Sequence, residues 1–220
     1  MTFRHIVGLD HAVILVRDLD RARDTYERLG FTLTPRGHHS LGSRNHCIMF
    51  GRDYLELMAL PAVPPPAFQY FAEFLRRGEG VGALALATDD AVAAHAELAG
   101  AGIAAEAPLA LSRPVENLGE ARFTLVQLPP GQTPGFRSFL CQHHTRDIVW
   151  RAQYQQHALG AQSIDSVSVS APDPERYGAL FGRLPVEFLQ APVAAVTALR
   201  IRVADRARAA ETLRSGGFAP

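Results

Sequence analysis

The sequence predicts an α+β fold built from repeated βαβββ modules. Two observations predict it: a βα unit recurs four times along the chain, and the first two copies are followed by additional short apolar strands. The chain has 220 residues, of which 47% are hydrophobic, enough for two small modules and a shorter remainder. Internal repetition of this kind outranks most single motifs as an indication of fold.

The first copy of the βα unit is the clearest. The apolar strand in HAVILVRD ends at Asp18, whose carboxylate can accept hydrogen bonds from the free N–H groups that begin a helix. The apolar residues from Leu19 to Leu29 then recur at steps of three and four, which places them on one helical face. Gly30 tolerates the left-handed backbone that ends a helix, and Phe31 opens the next strand.

The other copies repeat this spacing. The twelve-residue step from Asp18 to Gly30 recurs from Asp90 to Gly102 and from Asp205 to Gly217, and a third copy, SVSVSAPDPERYGALFGRLPVEF, carries an Asp in the same capping position. The strands HCIMFG and YLELMAL follow the first copy, and ARFTLVQL and SFLCQH follow the second. Two βαβββ modules are therefore expected, followed by a C-terminal region with fewer strands.

The predicted organisation has four segments. Residues 1–62 form the first module, 63–80 a linker helix with a Phe stripe, 81–148 the second module, and 149–220 a shortened C-terminal module. Unpaired strand edges and an apolar face in the last segment predict a homodimer. The alternative is that the third and fourth copies pair with each other, which would leave a monomer.

Composition excludes several classes of function. The 22 basic residues balance the 22 acidic ones, so no electrostatic surface for nucleic acid is expected. Cys47 and Cys141 are far apart and in no CxxC spacing, which excludes a disulfide framework and a thiolate zinc site. The apolar run near the N-terminus is too short for a secretion signal or a membrane span. We expect a cytoplasmic protein without nucleic-acid or membrane partners.

Residues 8–145 resemble the vicinal oxygen chelate superfamily. The resemblance is carried by LDHAVILVRDLDRARDTYERLGF, by YLEL as a fourth strand and by FLRRGEGVGALALATDD at the entry to the second module, while HHSLGSRNHCIMFGRDYLEL is most similar to glyoxalase-like proteins. It implies paired βαβββ modules that form a curved half-barrel sheet, with helices outside, around a metal and a small substrate. The superfamily includes isomerases, epimerases, dioxygenases, thiol transferases and non-catalytic drug-binding proteins, so the fold alone does not give the reaction.

His11 and Glu56 are the main candidates for a site. Glu56 lies between Leu55 and Leu57 in YLELMAL, and strand alternation turns it to the opposite face from both leucines. A carboxylate within an apolar strand is costly unless it is paired, binds a metal or faces a wet cavity. His11 can bind a metal if it points to the concave side, or can simply be hydrogen-bonded at a strand end. In the superfamily a first-strand His and a fourth-strand Glu are both metal ligands, and His11 and Glu56 match those positions.

The matching ligands of the second module are harder to find. Epimerase-like relatives carry a His at the start of the corresponding strand, where this sequence has Gly82 and Ala83. If Phe139 pairs like Tyr54, then Cys141 takes the place of Glu56, and His143 is the candidate third ligand. Two imidazoles and a carboxylate would suit Zn, Ni, Mn or Fe as divalent ions. An exposed polar strand end is the alternative for His143.

Further polar residues are candidates for substrate binding. His38, His39 and Asn45 lie in the loop and strand before Glu56 and could orient a substrate carbonyl or carboxylate. A solvated loop is the alternative. Trp150 and Arg151 could cap the pocket with an aromatic plane and a guanidinium group, although Trp150 can equally serve as an anchor for the linker.

These residues lead to two hypotheses for function. The first is a metal-dependent small-molecule enzyme, an isomerase, a lyase or a dioxygenase, in which the ion polarises vicinal oxygens and Glu56 or a metal-bound water moves a proton. The second is a metal-free binding or resistance protein that holds an apolar ligand in the same curved sheet. The absent second-module His favours the second hypothesis, and the metal content of the purified protein separates the two.

Overall fold

The computed structural model describes residues 3–115 and 118–219, which form two β-sheets with helices on their outer faces. The larger sheet is curved and nearly closed, and its eight strands have the order β2-β3-β4-β1-β5-β8-β7-β6. Its strands are β1 (Ile6–Leu15), β2 (Gly37–His38), β3 (Arg44–Met49), β4 (Tyr54–Ala59), β5 (Gly80–Thr88), β6 (Leu109–Val115), β7 (Gly119–Gln127) and β8 (Arg137–His143). The predicted fold of paired βαβββ modules is confirmed.

Two of the first four helices begin where the repeated Asp residues predict. The bounds of all four are α1 (Leu19–Arg28), α2 (Gln69–Arg77), α3 (Ala91–Gly100) and α4 (Arg146–Val149). The Asp18 carboxylate accepts from the N–H of Arg21, and Asp90 accepts from two N–H groups in the first turn of α3. Gly30 follows α1 with φ of 88°, a left-handed conformation that glycine adopts without strain. Among the described residues, no helix combines the length and apolar character needed to cross a membrane.

The two modules meet through β1 and β5, which pair antiparallel at the middle of the sheet. The pairing leaves Val7 and Asp10 of β1 and Gly82 of β5 out of the ladder. The bulges at Asp10 and Gly82 both lie eight residues before a helix-capping Asp, so the two modules have a bulge at the same position. A bulge leaves one residue out of the ladder and redirects neighbouring side chains.

The C-terminal region forms a second sheet of three strands with the order β10-β9-β11. It contains β9 (Ala161–Ala171), α5 (Gly178–Phe181), β10 (Val186–Gln190), β11 (Ala195–Val203) and α6 (Arg206–Ser215). The third and fourth copies of the βα unit therefore pair with each other. Val167 and Val169 are fully buried in the same core as Ile48 and Phe50 of the first module. The apolar face that motivated the predicted dimer is thus covered by the chain itself.

Hydrogen bonds connect the second sheet to the first. The backbone N–H of Ile164 in β9 donates to the buried Asp53 carboxylate at 2.8 Å. His157 Nε2 lies 2.9 Å from the carbonyl oxygen of Met49. Because these contacts lie beside the shared core, the C-terminal sheet supports the back of the first module.

Candidate functional site

The inner face of the eight-stranded sheet surrounds a cavity of about 420 Å³. Its wall comes mainly from alternate residues of six strands, as expected when one face of each strand looks inward. The strand residues in the wall are His11, Val13, Asn45, Cys47, Tyr54, Glu56, Met58, Leu109, Leu111, Ser112, Arg113, Phe123, Leu125, Gln127, Arg137, Phe139 and Cys141. Phe68 and Phe71, at and within α2, close part of one side. The wall is mainly apolar, with few polar groups, which is the usual composition of a small-molecule site.

Glu56 is the centre of the polar part of this wall. Its side chain is buried, and Asn45 Nδ2 donates to Oε1 at 2.7 Å. Two imidazoles approach the same carboxylate: His39 Nε2 lies 3.7 Å from Oε1, and His11 Nε2 lies 3.6 Å from Oε2. The structure therefore brings together four residues that were predicted separately.

Both imidazoles are fixed through their other ring nitrogen. His11 Nδ1 is 2.6 Å from Asp10 Oδ2, and His39 Nδ1 is 2.8 Å from the hydroxyl of Ser43. His11 also stacks on Tyr54, with ring centroids 4.3 Å apart. When Nδ1 carries the proton, Nε2 presents its lone pair to the cavity, as in histidines that bind metals.

Burial also affects the charge of His39. It lowers the pKa of His39 from its ordinary value, and the nearby Glu56 carboxylate only partly opposes this effect. The neutral form of the ring is thereby favoured. A neutral imidazole can bind a metal or accept a proton, whereas the imidazolium form can do neither.

Asp10 belongs to this polar network, and the sequence analysis did not identify it. It is buried beside His11, and its Oδ2 also lies 3.0 Å from His143 Nε2. Burial alone would raise the pKa of Asp10, but the hydrogen bonds from His11 and His143 outweigh it and lower the pKa to about 2. Asp10 is therefore a carboxylate that can hold two imidazoles at once. The β-bulge at this position explains how consecutive residues of a strand come to contact each other.

His143 and Trp150 lie behind this network, outside the cavity lining. His143 bonds Asp10 through Nε2, and its Nδ1 is buried with no partner in the described part of the chain. The Trp150 ring meets His143 edge to face at 4.9 Å, and its indole N–H donates to the carbonyl of Phe50. Trp150 thus has the contacts of an anchor, one of its two expected roles.

One group of three possible metal ligands lies within mutual distances of 4.8 Å among the described residues, namely Asp10, Cys141 and His143. It shares His143 with the predicted metal site but does not include the other two predicted ligands, His11 and Glu56. Burial raises the pKa of the Cys141 thiol well above its ordinary value, which favours the protonated form. Because a thiol binds a metal as the thiolate, this environment disfavours Cys141 as a ligand.

The positions equivalent to His11 and Glu56 in the second module are apolar. Ala83 lies as far before the capping residue Asp90 as His11 lies before Asp18, so the two positions correspond. His11 pairs with Tyr54 in β4, and Ala83 pairs with Arg137 in β8. Glu56 therefore corresponds to Phe139. The expectation that Cys141 takes the place of Glu56 is corrected, because the strand register is two residues different from the one assumed.

The remaining predicted residues lie outside the cavity lining: His38 is exposed on β2, and Arg151 follows α4. Two arginines that the sequence analysis did not single out, Arg113 and Arg137, do line it. Each lies two residues from an apolar residue on the same strand face, Leu111 in β6 and Phe139 in β8, which was the available signal. This pattern identifies a cavity residue only when the inward face of each strand is known.

Comparisons with known proteins agree with this architecture. A family model described as a glyoxalase-like domain matches residues 9–184. A hypothetical protein from Staphylococcus aureus has a similar structure, with a TM-score of 0.70 and 15% identity over 90% of this chain and 92% of the other. Methylmalonyl-CoA epimerase from Mycobacterium tuberculosis aligns with a TM-score of 0.50 and 26% identity over 64% of this chain and 92% of its own. Among curated proteins, none matches the sequence significantly.

Proposed function

Because the chain belongs to the glyoxalase-like family of the vicinal oxygen chelate superfamily, we propose that it is a metal-dependent enzyme that isomerises or cleaves a small oxygen-containing substrate. The observation that carries the proposal is the buried Glu56 carboxylate, approached by the Nε2 atoms of His11 and His39 in the wall of an apolar cavity. A carboxylate in such a place is costly unless it has a partner or a function.

The proposed donors are of the types that bind a divalent ion with open coordination positions, although their ligand atoms do not all lie within 4.8 Å of one another, as those of Asp10, Cys141 and His143 do. His11 and Glu56 provide an imidazole nitrogen and a carboxylate oxygen on the cavity side, and His39 is the third donor that faces the same carboxylate. Asp10 and Ser43 hold the two imidazoles from behind, in the arrangement that orients ligands at metal sites. A set of two imidazoles and one carboxylate suits Zn, Ni, Mn or Fe.

Such an ion supplies Lewis acidity, which stabilises negative charge that develops on substrate oxygens. The residues around it have distinct tasks. Asn45 donates to Oε1 of Glu56, whereas Oε2 has no hydrogen-bond donor among the described residues and lies 3.6 Å from His11 Nε2. Oε2 is therefore the atom placed to accept a proton from substrate. The apolar wall excludes water from this exchange.

Proton transfer is favoured over ring cleavage as the reaction type. Of the structures compared, the epimerase shares 26% identity with this chain, and an epimerase moves a proton at carbon. Glu56 and the two imidazoles are groups that can perform such a step. We therefore propose an isomerase, an epimerase or a lyase in preference to a dioxygenase.

The proposal is tested by metal content. Purified protein is stripped with a chelator, incubated with Zn, Ni, Mn or Fe(II), desalted and analysed by elemental mass spectrometry. Stoichiometric metal is expected in the wild type and in the His38→Gln control, which changes an exposed neighbour of His39. His11→Ala and Glu56→Gln should lose the metal, and His39→Gln should weaken its binding.

The opposite pattern would refute the assignment. If Glu56→Gln keeps the metal while His143→Gln loses it, then the ion lies at Asp10, Cys141 and His143 instead. Circular dichroism of each variant checks that a loss of metal is not a loss of fold.

A metal-free binding protein is the second candidate. It is favoured by Ala83 and Phe139, which stand where a four-ligand site would need two more donors. In that case Glu56 would simply hold a polar group of an apolar ligand. Absence of stoichiometric metal under every loading condition would support this candidate over the enzyme.

We also propose a homodimer in the cytoplasm. The exposed edges of β10 and β11 in the three-stranded sheet are its remaining structural support, since the apolar face of that sheet is already covered. Sedimentation at micromolar concentration tests it. A species of 23.9 kDa that persists at high concentration would show that the protein is a monomer.

A further inference from the structure

Arg137 lies in the same row of the sheet as Glu56, on the other side of the cavity. The row crosses four neighbouring strands: Glu56 pairs with Val13, Val13 with Ala83, and Ala83 with Arg137. Residues in one row point to the same face, and both Glu56 and Arg137 line the cavity. Three strand spacings separate them, roughly 14 Å between Cα atoms along the curved sheet.

The Arg137 guanidinium is half-buried and poorly paired. Among the described residues its side chain makes one hydrogen bond, to Gln127 Oε1 at 3.4 Å, and the centroid of the Tyr70 ring lies 5.9 Å from the guanidinium carbon. No carboxylate of those residues lies within the 4 Å of an ion pair with Arg137, but the charge of Glu106, which also lines the cavity, acts on the guanidinium from farther away. A guanidinium has five donors and stays charged in proteins, so most of its donors here are free for a ligand.

The wall between the two charged residues is apolar. Val13 and Ala83 lie between them in the row, while Phe139, two residues from Arg137 in β8, and Phe71 from α2 line the same cavity. A ligand that spans the row would therefore contact a carboxylate and imidazoles at one end, hydrocarbon in the middle and a guanidinium at the other end. Such a cavity is complementary to a molecule in which a short apolar segment separates an anionic group from the reacting atoms.

We propose that Arg137 binds the carboxylate of the substrate, so that the cavity takes a small apolar carboxylic acid whose opposite end lies at Glu56. This deepens the proposed function and rests on it in placing the reacting end at Glu56. Planar guanidinium and carboxylate groups form paired hydrogen bonds, which give orientation as well as affinity. Arg137 would thus select the substrate and fix its direction without taking part in proton transfer.

The test compares carboxylates with alcohols of the same chain length. Hexanoate and octanoate, with hexanol and octanol as uncharged partners, are titrated calorimetrically into protein kept in chelator, so that no probe can bind a metal. The wild type should bind each carboxylate at least about tenfold more tightly than its alcohol, as expected for hydrogen bonds to a charged group. Equal affinity within each pair, or no binding of any probe, would overturn the proposal.

Two further variants locate the anion site. Arg137→Gln should abolish the preference for the carboxylate and leave alcohol binding unchanged, while Arg44→Gln, an exposed change outside the cavity lining, should preserve it. If Arg113→Gln abolishes the preference and Arg137→Gln does not, the anion binds at Arg113 and the assignment to Arg137 is overturned.

A measurement on the wild type alone covers the case in which an Arg137 variant fails to fold. The carboxyl carbon of carbon-13-labelled octanoate is followed by NMR as a function of pH. Binding to a guanidinium should lower the pKa of the bound acid, whereas burial among apolar side chains would raise it. A raised pKa would overturn the proposal. Because this test needs no metal, its failure is distinguishable from failure of the metal centre.

Discussion

Replacing Asp53 by Asn should stabilise the protein by an amount that grows with pH. Asp53 precedes β4 and is buried, with 3% of its surface exposed. Its carboxylate accepts the hydrogen bond from Ile164 that joins the two sheets. An amide oxygen can accept the same hydrogen bond without a charge. The substitution therefore removes a buried charge while keeping the connection between the sheets.

The magnitude follows from the pKa of this group. Burial raises the pKa of Asp53 from 3.8 to about 6, although the hydrogen bond from Ile164 and the charge of Arg52 oppose the increase. Between these values the folded state binds more protons than the unfolded state, so stability falls as pH rises. The shift corresponds to about 3 kcal/mol, lost between about pH 4 and pH 6 and not recovered above it.

The assay is the free energy of unfolding by urea, measured from about pH 4 to about pH 7. The difference between Asp53→Asn and wild type should grow by about 3 kcal/mol across this range. Any constant effect of the amide N–H₂ group cancels in that comparison. Asp24→Asn, an exposed change on α1, controls for the altered net charge. A difference that stays constant or shrinks as pH rises would refute the reasoning.

Three other predictions concern Glu56 and two glycines. Glu56→Gln should lower turnover at least about a hundredfold on any carbonyl substrate found by screening, with an unchanged circular dichroism spectrum; full activity would make Glu56 structural. Gly37→Ala should weaken metal binding with little loss of stability, because its Cβ would lie 2.2 Å from Oδ1 of Asn45, which holds Glu56; unchanged metal affinity would contradict this. Gly135→Ala should cost about 2 kcal/mol or more in urea unfolding, since Gly135 has φ of +93° and its Cβ would lie 2.2 Å from a backbone oxygen of Ala194. Gly102→Ala, with positive φ but open space, should cost less.

The fold was predictable from sequence because its signals are local and repeated. A capping Asp, an apolar helical face and a terminal Gly each specify structure within a few residues, and their recurrence defines the modules. The inward-facing positions of His11 and Glu56 were predictable for a similar reason. Each stands out as a polar residue in an apolar strand, and each matches a position in a known family.

The rest of the site depends on information that is not local. Asp10 contacts His11 through a β-bulge, an irregularity that the residue pattern does not reveal. The place of His143 depends on the register of β8, and the assumed register was in error by two residues. Side chains on adjacent strands change partners with such a shift, although they stay on the same face. Sequence therefore predicted which residues face inward better than which of them meet.

The two halves of the sheet share a backbone plan but differ in chemistry. His11 and Glu56 in the first half correspond to Ala83 and Phe139 in the second half. If the proposed metal binds at His11 and Glu56, an apolar second half leaves coordination positions open for substrate that a symmetric set of ligands would fill. It also frees that half to contact the body of the ligand, with Arg137 in the register position that Tyr54 occupies in the first half. On this view the loss of second-half ligands accompanies a division of tasks, in which one module performs the chemistry and the other selects the substrate.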